Sequence, residues 1–439
     1  MSTPSFNAMR FSHAKHHIPR TMTLGLTLFL SLAGFAADWP GWRGPARDGH
    51  TTPGSRVPAS LPTEPRRIWQ LKIGEGLASP VVAGDRVFYL DAQEDKEVVH
   101  AIQKDSGAEL WRVPLDGTFK NGQTAPGPRC SPLVDGDRVY VQSCNGELRC
   151  LAVEDGQQKW RVNYTREYHA GLPAERGLAK GAQRHGYTAS PWVDGQRLIS
   201  LVGDSQGAGV VCFDKLTGNV LWKSQNDRAA NAAPITAWLD GQPRKQVVAF
   251  TVEGLIGLDL EKGDLLWRVP ITTTYGRHVM TPVVAGPIVM VASKEESLMG
   301  IQPTWSSHDL KWEANLRWQA KEHTVNFMSP VATEGHIYGL GPQKNLFCVE
   351  TQTGRTRWSK EGFTTKPAEN AHLALLVLGK NLLLLTETGT LVLVAADPTE
   401  YRELGRAQVC GANWCNPAFA DGRLYLRDAR ELICLDLMP

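Results

Sequence analysis

Tryptophan recurs along this chain at nearly constant intervals. Successive members of one series lie 42, 49, 62, 45, 45 and 46 residues apart. A period in the forties is typical of chains built from repeated supersecondary units that bury their apolar faces against each other. This spacing constrains the fold more than any local pattern does, and it predicts that function lies where the repeats differ. The series is Trp69, Trp111, Trp160, Trp222, Trp267, Trp312 and Trp358.

Small residues and glycines keep a fixed distance from most of these tryptophans. A glycine lies four residues before five of them, and glycine readily adopts the positive φ of tight hairpin turns. The pattern predicts a tight turn before the last strand of each unit. A small residue lies ten residues before five tryptophans and twelve before Trp312. The small residues are Ala101, Cys150, Cys212, Gly257, Gly300 and Cys348, and the glycines are Gly107, Gly156, Gly218, Gly263 and Gly354.

Each unit opens with a proline that is followed by a short apolar run, a turn and a second, alternating run. The turn is marked by pairs such as Gly84 and Asp85, which favour a hairpin. One unit therefore contains four short strands, and four-stranded antiparallel sheets arranged around an axis form a β-propeller. The opening prolines are Pro80, Pro132, Pro191, Pro234, Pro282, Pro330 and Pro417.

The number of units follows from the two ends of the array. An eighth, degenerate unit begins near His372, with Ala395 at the small position and Tyr401 near the tryptophan position. The last unit lacks a fourth strand, whereas Trp69 lies in a strand that no unit precedes. We therefore predict an all-β, eight-bladed β-propeller of four-stranded antiparallel blades. Its N-terminal strand completes the last blade, which closes the ring and removes free sheet edges. Seven blades is the alternative.

The N-terminus predicts export. Lys15 and Arg20 precede an apolar stretch, 24–35, and the small residues Ala36 and Ala37 follow it. This order is typical of a secretory signal peptide. We expect a signal peptide at 1–37, an extended leader at 38–65 and the propeller at 66–439. The protein would then be periplasmic or secreted, with no transmembrane segment after signal cleavage.

Charge and cysteine spacing exclude several classes of function. The net charge is only +2 and no basic run is present, so the sequence predicts no nucleic-acid partner. The spacing of the eight cysteines matches no zinc or haem motif. Cys410 and Cys415 could bridge within one loop. Four cysteines take the small position of the repeat or its equivalent in the last unit: Cys150, Cys212, Cys348 and Cys434.

Two units and the leader are similar to a known family. The segments 131–160 and 209–222 resemble the pyrroloquinoline-quinone (PQQ) type propeller repeat, and 38–49 resembles the start of exported PQQ-binding-like or BamB-like propellers. The resemblance implies that the seven tryptophans of the series dock each blade on its neighbour. It also implies one of two activities. Quinoprotein alcohol dehydrogenases use PQQ with calcium, and beside it they have adjacent cysteines that this chain lacks, whereas BamB is a scaffold of the cell envelope.

Candidate functional residues lie before the inner strands. In a propeller, the loops that lead into these strands cross one face towards the channel, and loops on a rigid scaffold commonly bind ligands. Two of these loops contain insertions, at 112–129 and 161–188. Arginine there suits recognition of carboxylate or phosphate. The predicted channel-mouth residues are Arg129, His185, Tyr187, Asn231, Arg277, His278, Asn326, Asn370, Asn413 and Trp414.

These residues predict binding more than catalysis. Their types and spacing give no catalytic set and no metal site, so we expect a non-enzymatic envelope propeller with no cofactor. Its ligand would be a small polar or anionic molecule or an envelope protein partner. The alternative is a periplasmic quinoprotein oxidoreductase acting on alcohols or sugars. PQQ with calcium would then lie in the mouth, with Trp414 as a stacking plane.

Overall fold

The computed structural model describes residues 38–121, 125–171, 185–239, 241–342, 345–363 and 372–438. Over these ranges it contains one short helix, α1 (Tyr164–Glu167), and eight four-stranded antiparallel sheets arranged as a propeller. The predicted fold class and the count of eight blades are confirmed. The predicted signal peptide and Asn370 lie outside the described residues. Within those residues there is no helix with the length and apolar character that a membrane span needs.

The strands are numbered in chain order, and those of a blade run from the channel outwards. Blade one contains β2 (Val81–Ala83), β3 (Arg86–Gln93), β4 (Lys96–Gln103) and β5 (Glu109–Gly117). Blade two contains β6 (Leu133–Asp135), β7 (Arg138–Gln142), β8 (Glu147–Ala152) and β9 (Gln158–Asn163). Blade three contains β10 (Trp192–Asp194), β11 (Arg197–Asp204), β12 (Ala208–Asp214) and β13 (Val220–Ser224). Blade four contains β14 (Ile235–Trp238), β15 (Lys245–Thr251), β16 (Gly254–Asp259) and β17 (Leu265–Pro270).

The second half of the ring repeats this order. Blade five contains β18 (Val283–Ala285), β19 (Ile288–Val291), β20 (Ser297–Ser306) and β21 (Lys311–Thr324). Blade six contains β22 (Val331–Thr333), β23 (His336–Leu340), β24 (Leu346–Glu350) and β25 (Thr356–Lys360). Blade seven contains β26 (Leu373–Leu378), β27 (Asn381–Thr386), β28 (Thr390–Ala395) and β29 (Glu403–Gln408). Blade eight contains β30 (Ala418–Ala420), β31 (Arg423–Arg427), β32 (Glu431–Asp436) and, outermost, the N-terminal strand β1 (Arg66–Lys72).

The N-terminal strand closes the ring as predicted. β1 pairs with β32 in antiparallel register, with Trp69 opposite Cys434. The strand closes blade eight and also contacts blade one, because the Trp69 Nε1 donates to the backbone oxygen of Lys104 at 2.8 Å. The first and last strands of the chain are thus paired in one sheet, and neither is left unpaired where the ring closes.

A small residue and a tryptophan lie opposite each other in the outer half of most blades. Gly257 is opposite Trp267, and a Cβ added to this glycine would lie 2.1 Å from the indole. Small residues are therefore required where the indole crosses the partner strand. In six blades the indole Nε1 also donates to a backbone oxygen of the next blade. These six donors are Trp69, Trp111, Trp160, Trp222, Trp318 and Trp358.

Blade five corrects one member of the predicted series. The residue opposite Gly300 is Trp318, and its Nε1 donates to the backbone oxygen of Thr351 at 2.8 Å. Trp312 instead pairs with Trp305 in the outer part of the β20–β21 hairpin, with ring centroids 5.7 Å apart. The hairpin is longer here than in the other blades, so the docking tryptophan lies six residues further along the chain.

Blade seven has no docking tryptophan, and the leader fills the place. Gly405 is opposite Leu393 at the position of the indole, so the predicted equivalents Ala395 and Tyr401 are two and four residues out of register. A Cβ on Gly405 would lie 2.7 Å from Leu61, which is buried in the cluster formed by blades seven, eight and one. Leu61 therefore occupies the space that an indole takes elsewhere.

The first part of the leader, residues 38–51, crosses the channel, and we call it the axial plug. Trp39 forms an antiparallel bridge to Val82 of blade one, and Thr51 donates to Val377 of blade seven at 3.1 Å. Between them, the backbone oxygen of Pro40 accepts from Val134 of blade two at 2.7 Å. The plug therefore contacts inner strands on both sides of the ring closure.

Two buried arginines fix the plug to blades three, four and six. Arg47 donates to the backbone oxygens of Ser190 and Pro234 at 2.7 and 2.9 Å, in blades three and four. Arg43 donates to Ser329 at 2.5 Å, just before the inner strand of blade six. Backbone carbonyls just before the inner strands need hydrogen-bond donors once they are buried, and these guanidinium groups provide them.

The eight cysteines are all free thiols. Cys410 and Cys415 are therefore unbridged, and burial raises the pKa of the two thiols to about 12 and about 11. Cys150, Cys212, Cys348 and Cys434 each lie opposite a docking tryptophan and are fully buried, which is the small position predicted for them.

Candidate functional site

A cavity of about 490 Å³ lies at the face where the connecting loops enter the inner strands. Trp42 of the axial plug is part of its wall, and the Trp42 Nε1 donates to the Thr281 hydroxyl of blade five at 3.2 Å. The plug thus holds one wall of the cavity in place. The lining residues are Trp42, Leu77, Ala125, Arg129, His185, Thr188, Ser190, Asn231, Ala233, Val279, Phe327, Met328, Ser329, His372, Trp414 and Asn416.

One side of the cavity is polar. The Arg129 guanidinium lies 3.0 Å from Nδ1 of His185 and above the ring of Phe119 at 5.3 Å. Because a guanidinium only donates, the imidazole Nδ1 accepts in this pair. Burial lowers the pKa of Arg129. Next to them, the Thr188 hydroxyl donates to Oδ1 of Asn231 at 3.0 Å, which orients the amide.

The other side is aromatic. The indole of Trp414 stacks on His372 with ring centroids 5.6 Å apart and planes inclined by 11°. Phe327 meets the same indole edge-on at 5.4 Å. The guanidinium of Arg277 lies 6.0 Å from the Phe327 ring, outside the cavity lining. The result is a flat apolar surface that faces a positively charged wall.

A buried carboxylate positions the loop that bears Arg129. Glu97 is fully buried, and its two oxygens accept from the backbone N–H groups of Phe119 and Cys144, both at 3.3 Å. Burial raises the pKa of Glu97 to about 7. The loop after β5 is thereby tied to the turn between β7 and β8. No spacing in the sequence identified Glu97, because its strand pattern is that of an ordinary buried position.

Four of the ten predicted mouth residues line the cavity together: Arg129, His185, Asn231 and Trp414. The remaining described ones lie elsewhere. The hydroxyl of Tyr187 donates to the backbone oxygen of Val202 at 2.8 Å, inside the core. His278 is fully buried, and its ring stacks on Phe250 at 4.0 Å. Asn413 is buried too, and its Oδ1 accepts from the backbone N–H of Cys415. Arg277 and Asn326 are half-buried beside the cavity.

The sequence reasoning missed Trp42, Phe327 and the wall position of His372. Trp42 belongs to the leader, which has no repeat to place it. Phe327 directly follows Asn326, which is one of the predicted site residues. Phe327 and His372 lie just before inner strands, and this position could have identified them as residues of the channel mouth. Trp42 has no comparable position in a repeat.

The donor set of the cavity suits an anion. Its described lining residues include Arg129 and two histidines but no aspartate or glutamate. Across the described residues, no group of three histidine, cysteine, aspartate or glutamate side chains is arranged to hold a metal ion. Calcium prefers several carboxylate or carbonyl oxygens. The residues here therefore do not fit a calcium-dependent PQQ site, although the aromatic wall alone fits a planar ring.

The closed ring of eight blades, the inter-blade indole contacts and the repeat pattern define a PQQ-type β-propeller. This chain belongs to the family described as outer membrane protein assembly factor BamB, whose sequence profile matches residues 54–181 and 180–360. An outer membrane protein assembly factor BamB from Burkholderia pseudomallei (strain K96243) is 28% identical over 166 residues, 33% of this chain and 43% of that protein. The aligned part thus spans less than half of that relative.

Further relatives extend the match. An outer membrane protein assembly factor BamB from Yersinia pestis is 21% identical over 312 residues, 67% of this chain and 70% of that protein. Among solved structures, BamB from Moraxella catarrhalis has a TM-score of 0.53 at 15% identity, covering 84% of this chain and 97% of that one. Quinohemoprotein alcohol dehydrogenase from Comamonas testosteroni has a TM-score of 0.62 at 14% identity, covering 92% and 82%. At these identities the structural likeness shows the fold alone.

Proposed function

We propose that this protein is an exported, non-enzymatic propeller of the bacterial cell envelope that binds a partner at the channel-mouth cavity. The bound group is a carboxylate-bearing segment with a flat or apolar body. The observation that supports this most is the cavity itself, in which Arg129 and His185 face the stacked rings of Trp414 and His372. A guanidinium fork recognises a carboxylate, and the rings pack against an apolar body.

The relatives support an envelope protein as the source of that segment. Two of them are named outer membrane protein assembly factors, so a protein-assembly role is the function that family membership favours. Export follows from the predicted signal peptide at 1–37. The axial plug favours a cavity that is open only at the mouth, because a segment that enters there meets Trp42.

Site-specific photocross-linking in cells tests this proposal. Ala125 is exposed and lines the cavity, so a photoreactive amino acid there would react with a bound segment. We expect an adduct with an envelope protein from position 125. The matched control is Thr353, an exposed residue in the hairpin turn of blade six, which should give none. Adducts of equal yield from both positions, or none from position 125, would contradict the proposal.

Arg129 provides the second control in the same experiment. Arg129→Ala, combined with the photoreactive amino acid at position 125, should reduce the yield of adduct about tenfold. This is the reduction expected for loss of one charge-assisted contact of about 1.5–3 kcal/mol. Arg129→Lys keeps the charge but loses the planar fork, so its adduct yield should lie between that of the protein with Arg129 and that of the Arg129→Ala variant. Thermal unfolding of both variants shows whether the propeller remains folded.

A further inference from the structure

A second pocket lies on the same face as the cavity mouth, between blades one and two. Its volume is about 260 Å³. It is formed where β4 and β8 begin and where β5 and β9 end, with one residue from α1. None of its lining residues lines the cavity. We call it the basic pocket, and its charged residues are Lys96, Arg149, Arg161, Arg166, Asp116 and Glu147.

The two carboxylates of the basic pocket already have partners. Glu147 is only 3% exposed, and its oxygens accept from Nε of Arg149 at 2.9 Å and from Nδ2 of Asn163 at 3.0 Å. Arg161 lies 3.5 Å from the same carboxylate. Asp116 accepts from the Ser143 hydroxyl and from the backbone N–H of Gly117, both at 2.7 Å. Both carboxylates therefore accept from donors of the protein itself and hold the pocket together.

The cations exceed the carboxylates by four to two, a net charge of +2. Within the described part of the chain, Lys96 and Arg166 form no ion pair at or below 4 Å. The neighbouring carboxylate of Asp95 is engaged by Lys120 at 3.0 Å. Arg149 is fixed in orientation because its Nη1 donates to the backbone oxygen of Pro114 at 3.0 Å. A preformed concave site with excess positive charge and oriented guanidinium groups is suited to an oxyanion.

We propose that the basic pocket binds a phosphate group. Arg149 and Arg161, braced on Glu147, supply oriented N–H donors, and Lys96 and Arg166 supply the uncompensated charge. A guanidinium presents its donors in a planar fork that matches phosphate oxygens, and lysine adds a point charge. The phosphate belongs either to a free solute or to a lipid headgroup. The site is independent of the cavity and of the function proposed for it.

The test uses the folded protein and inorganic phosphate as the probe, in low salt because exposed charges are screened. Calorimetric titration should show saturable binding. The double variant Lys96→Gln/Arg166→Gln removes two cations that form no ion pair with the described residues. It should weaken phosphate affinity about tenfold or more. The matched control is Lys72→Gln/Lys380→Gln, which removes two exposed lysines outside the basic pocket and should bind phosphate like the original protein.

Vesicles distinguish the two sources of the phosphate. If the phosphate is a lipid headgroup, the protein should sediment with phosphatidylglycerol vesicles but not with phosphatidylcholine vesicles, and the Lys96→Gln/Arg166→Gln variant should stay in solution. If it is a solute, phosphate binding is seen without vesicle binding. The proposal is overturned if neither probe binds, or if the variant and its control bind equally.

Discussion

Arg43 donates from Nε to the backbone oxygen of Arg47 at 3.4 Å, and the two guanidinium groups then reach different blades of the ring. Arg43 binds carbonyls before the inner strand of blade six, and Arg47 binds those before blades three and four. One turn of the leader thus ties together blades that are far apart along the chain. The protein's own leader therefore crosses the channel.

The first prediction concerns this plug. Arg47→Ala leaves three backbone carbonyls without their donor, and each buried unsatisfied acceptor costs about 1–3 kcal/mol. Burial lowers the pKa of Arg47 to about 9, so the side chain is still protonated at neutral pH. We expect the free energy of unfolding to fall by about 3 kcal/mol or more, measured by urea denaturation. Arg56→Ala, an exposed leader residue, is the control and should change it little.

The second prediction separates the two tryptophans of blade five. Trp318 is 8% exposed, packs on Gly354 and donates to blade six, whereas Trp312 is half-buried on an extended hairpin. Trp318→Ala should cost about 3–5 kcal/mol, as for a buried aromatic side chain. Trp312→Ala should cost about 1 kcal/mol, near the centre of the distribution for point mutants. Equal losses in thermal or urea unfolding would show that the docking position is assigned wrongly.

The third prediction tests why the small position is small. Gly257→Ala would place a Cβ 2.1 Å from the indole of Trp267, which forces the blade to repack. Overpacking of this kind costs about 1–3 kcal/mol, so the urea midpoint should fall. Gly171→Ala is the control because nothing lies within 4 Å of its added Cβ and its φ is ordinary. Equal urea midpoints for the two variants would contradict the tight contact between Gly257 and Trp267.

The fourth prediction concerns pH. The carboxyl of Glu97 has an ordinary pKa of 4.5, and burial raises it to about 7 in the folded protein. Between these values the unfolded chain loses its proton while the folded protein keeps it. Rising pH therefore favours the unfolded state across this window, and the slope ends once both states are ionised. The expected loss of stability from pH 4.5 to 7 is on the order of 3 kcal/mol.

Glu97→Gln checks this because the amide does not titrate. The variant is less stable overall, because the amide has a single acceptor oxygen. Its N–H₂ group only donates, so one of the backbone N–H groups of Phe119 and Cys144 loses its acceptor. Its free energy of unfolding should nevertheless vary less between pH 5 and pH 7.5 than that of the original protein. Glu361→Gln, at an exposed position, should keep the original slope. An unchanged slope in Glu97→Gln would assign the pH dependence to another group.

The repeat made most of the fold predictable. The tryptophan period, together with the strand around Trp69 that no unit precedes, was enough to predict the eight blades and the pairing of β1 with β32. Trp312 was misassigned because it lies at the expected interval from Trp267, whereas the longer hairpin of blade five places the docking tryptophan, Trp318, six residues further on. Gly405 was missed because the residue that fills its space, Leu61, is far away in sequence.

The site was predictable only as a region. Residues before the inner strands do gather at one face, but the direction of each side chain depends on the backbone next to it. Gly186 and Gly276 adopt φ of 64° and 61°, and the neighbouring Tyr187 and His278 point into the core. The plug was beyond sequence reasoning because its contacts join arginine side chains to backbone carbonyls, which any sequence presents.

A titration of the purified protein with PQQ, with and without calcium, separates the binding function from a quinoprotein activity. The probe is a flat polycarboxylate, and an artificial electron acceptor with an alcohol or sugar reports turnover. We expect calcium to change neither the absorbance nor the thermal stability, and no acceptor to be reduced, because the described lining of the cavity offers no carboxylate to calcium. A saturable, calcium-dependent shift with reduction of the acceptor would contradict the binding function and identify a quinoprotein oxidoreductase.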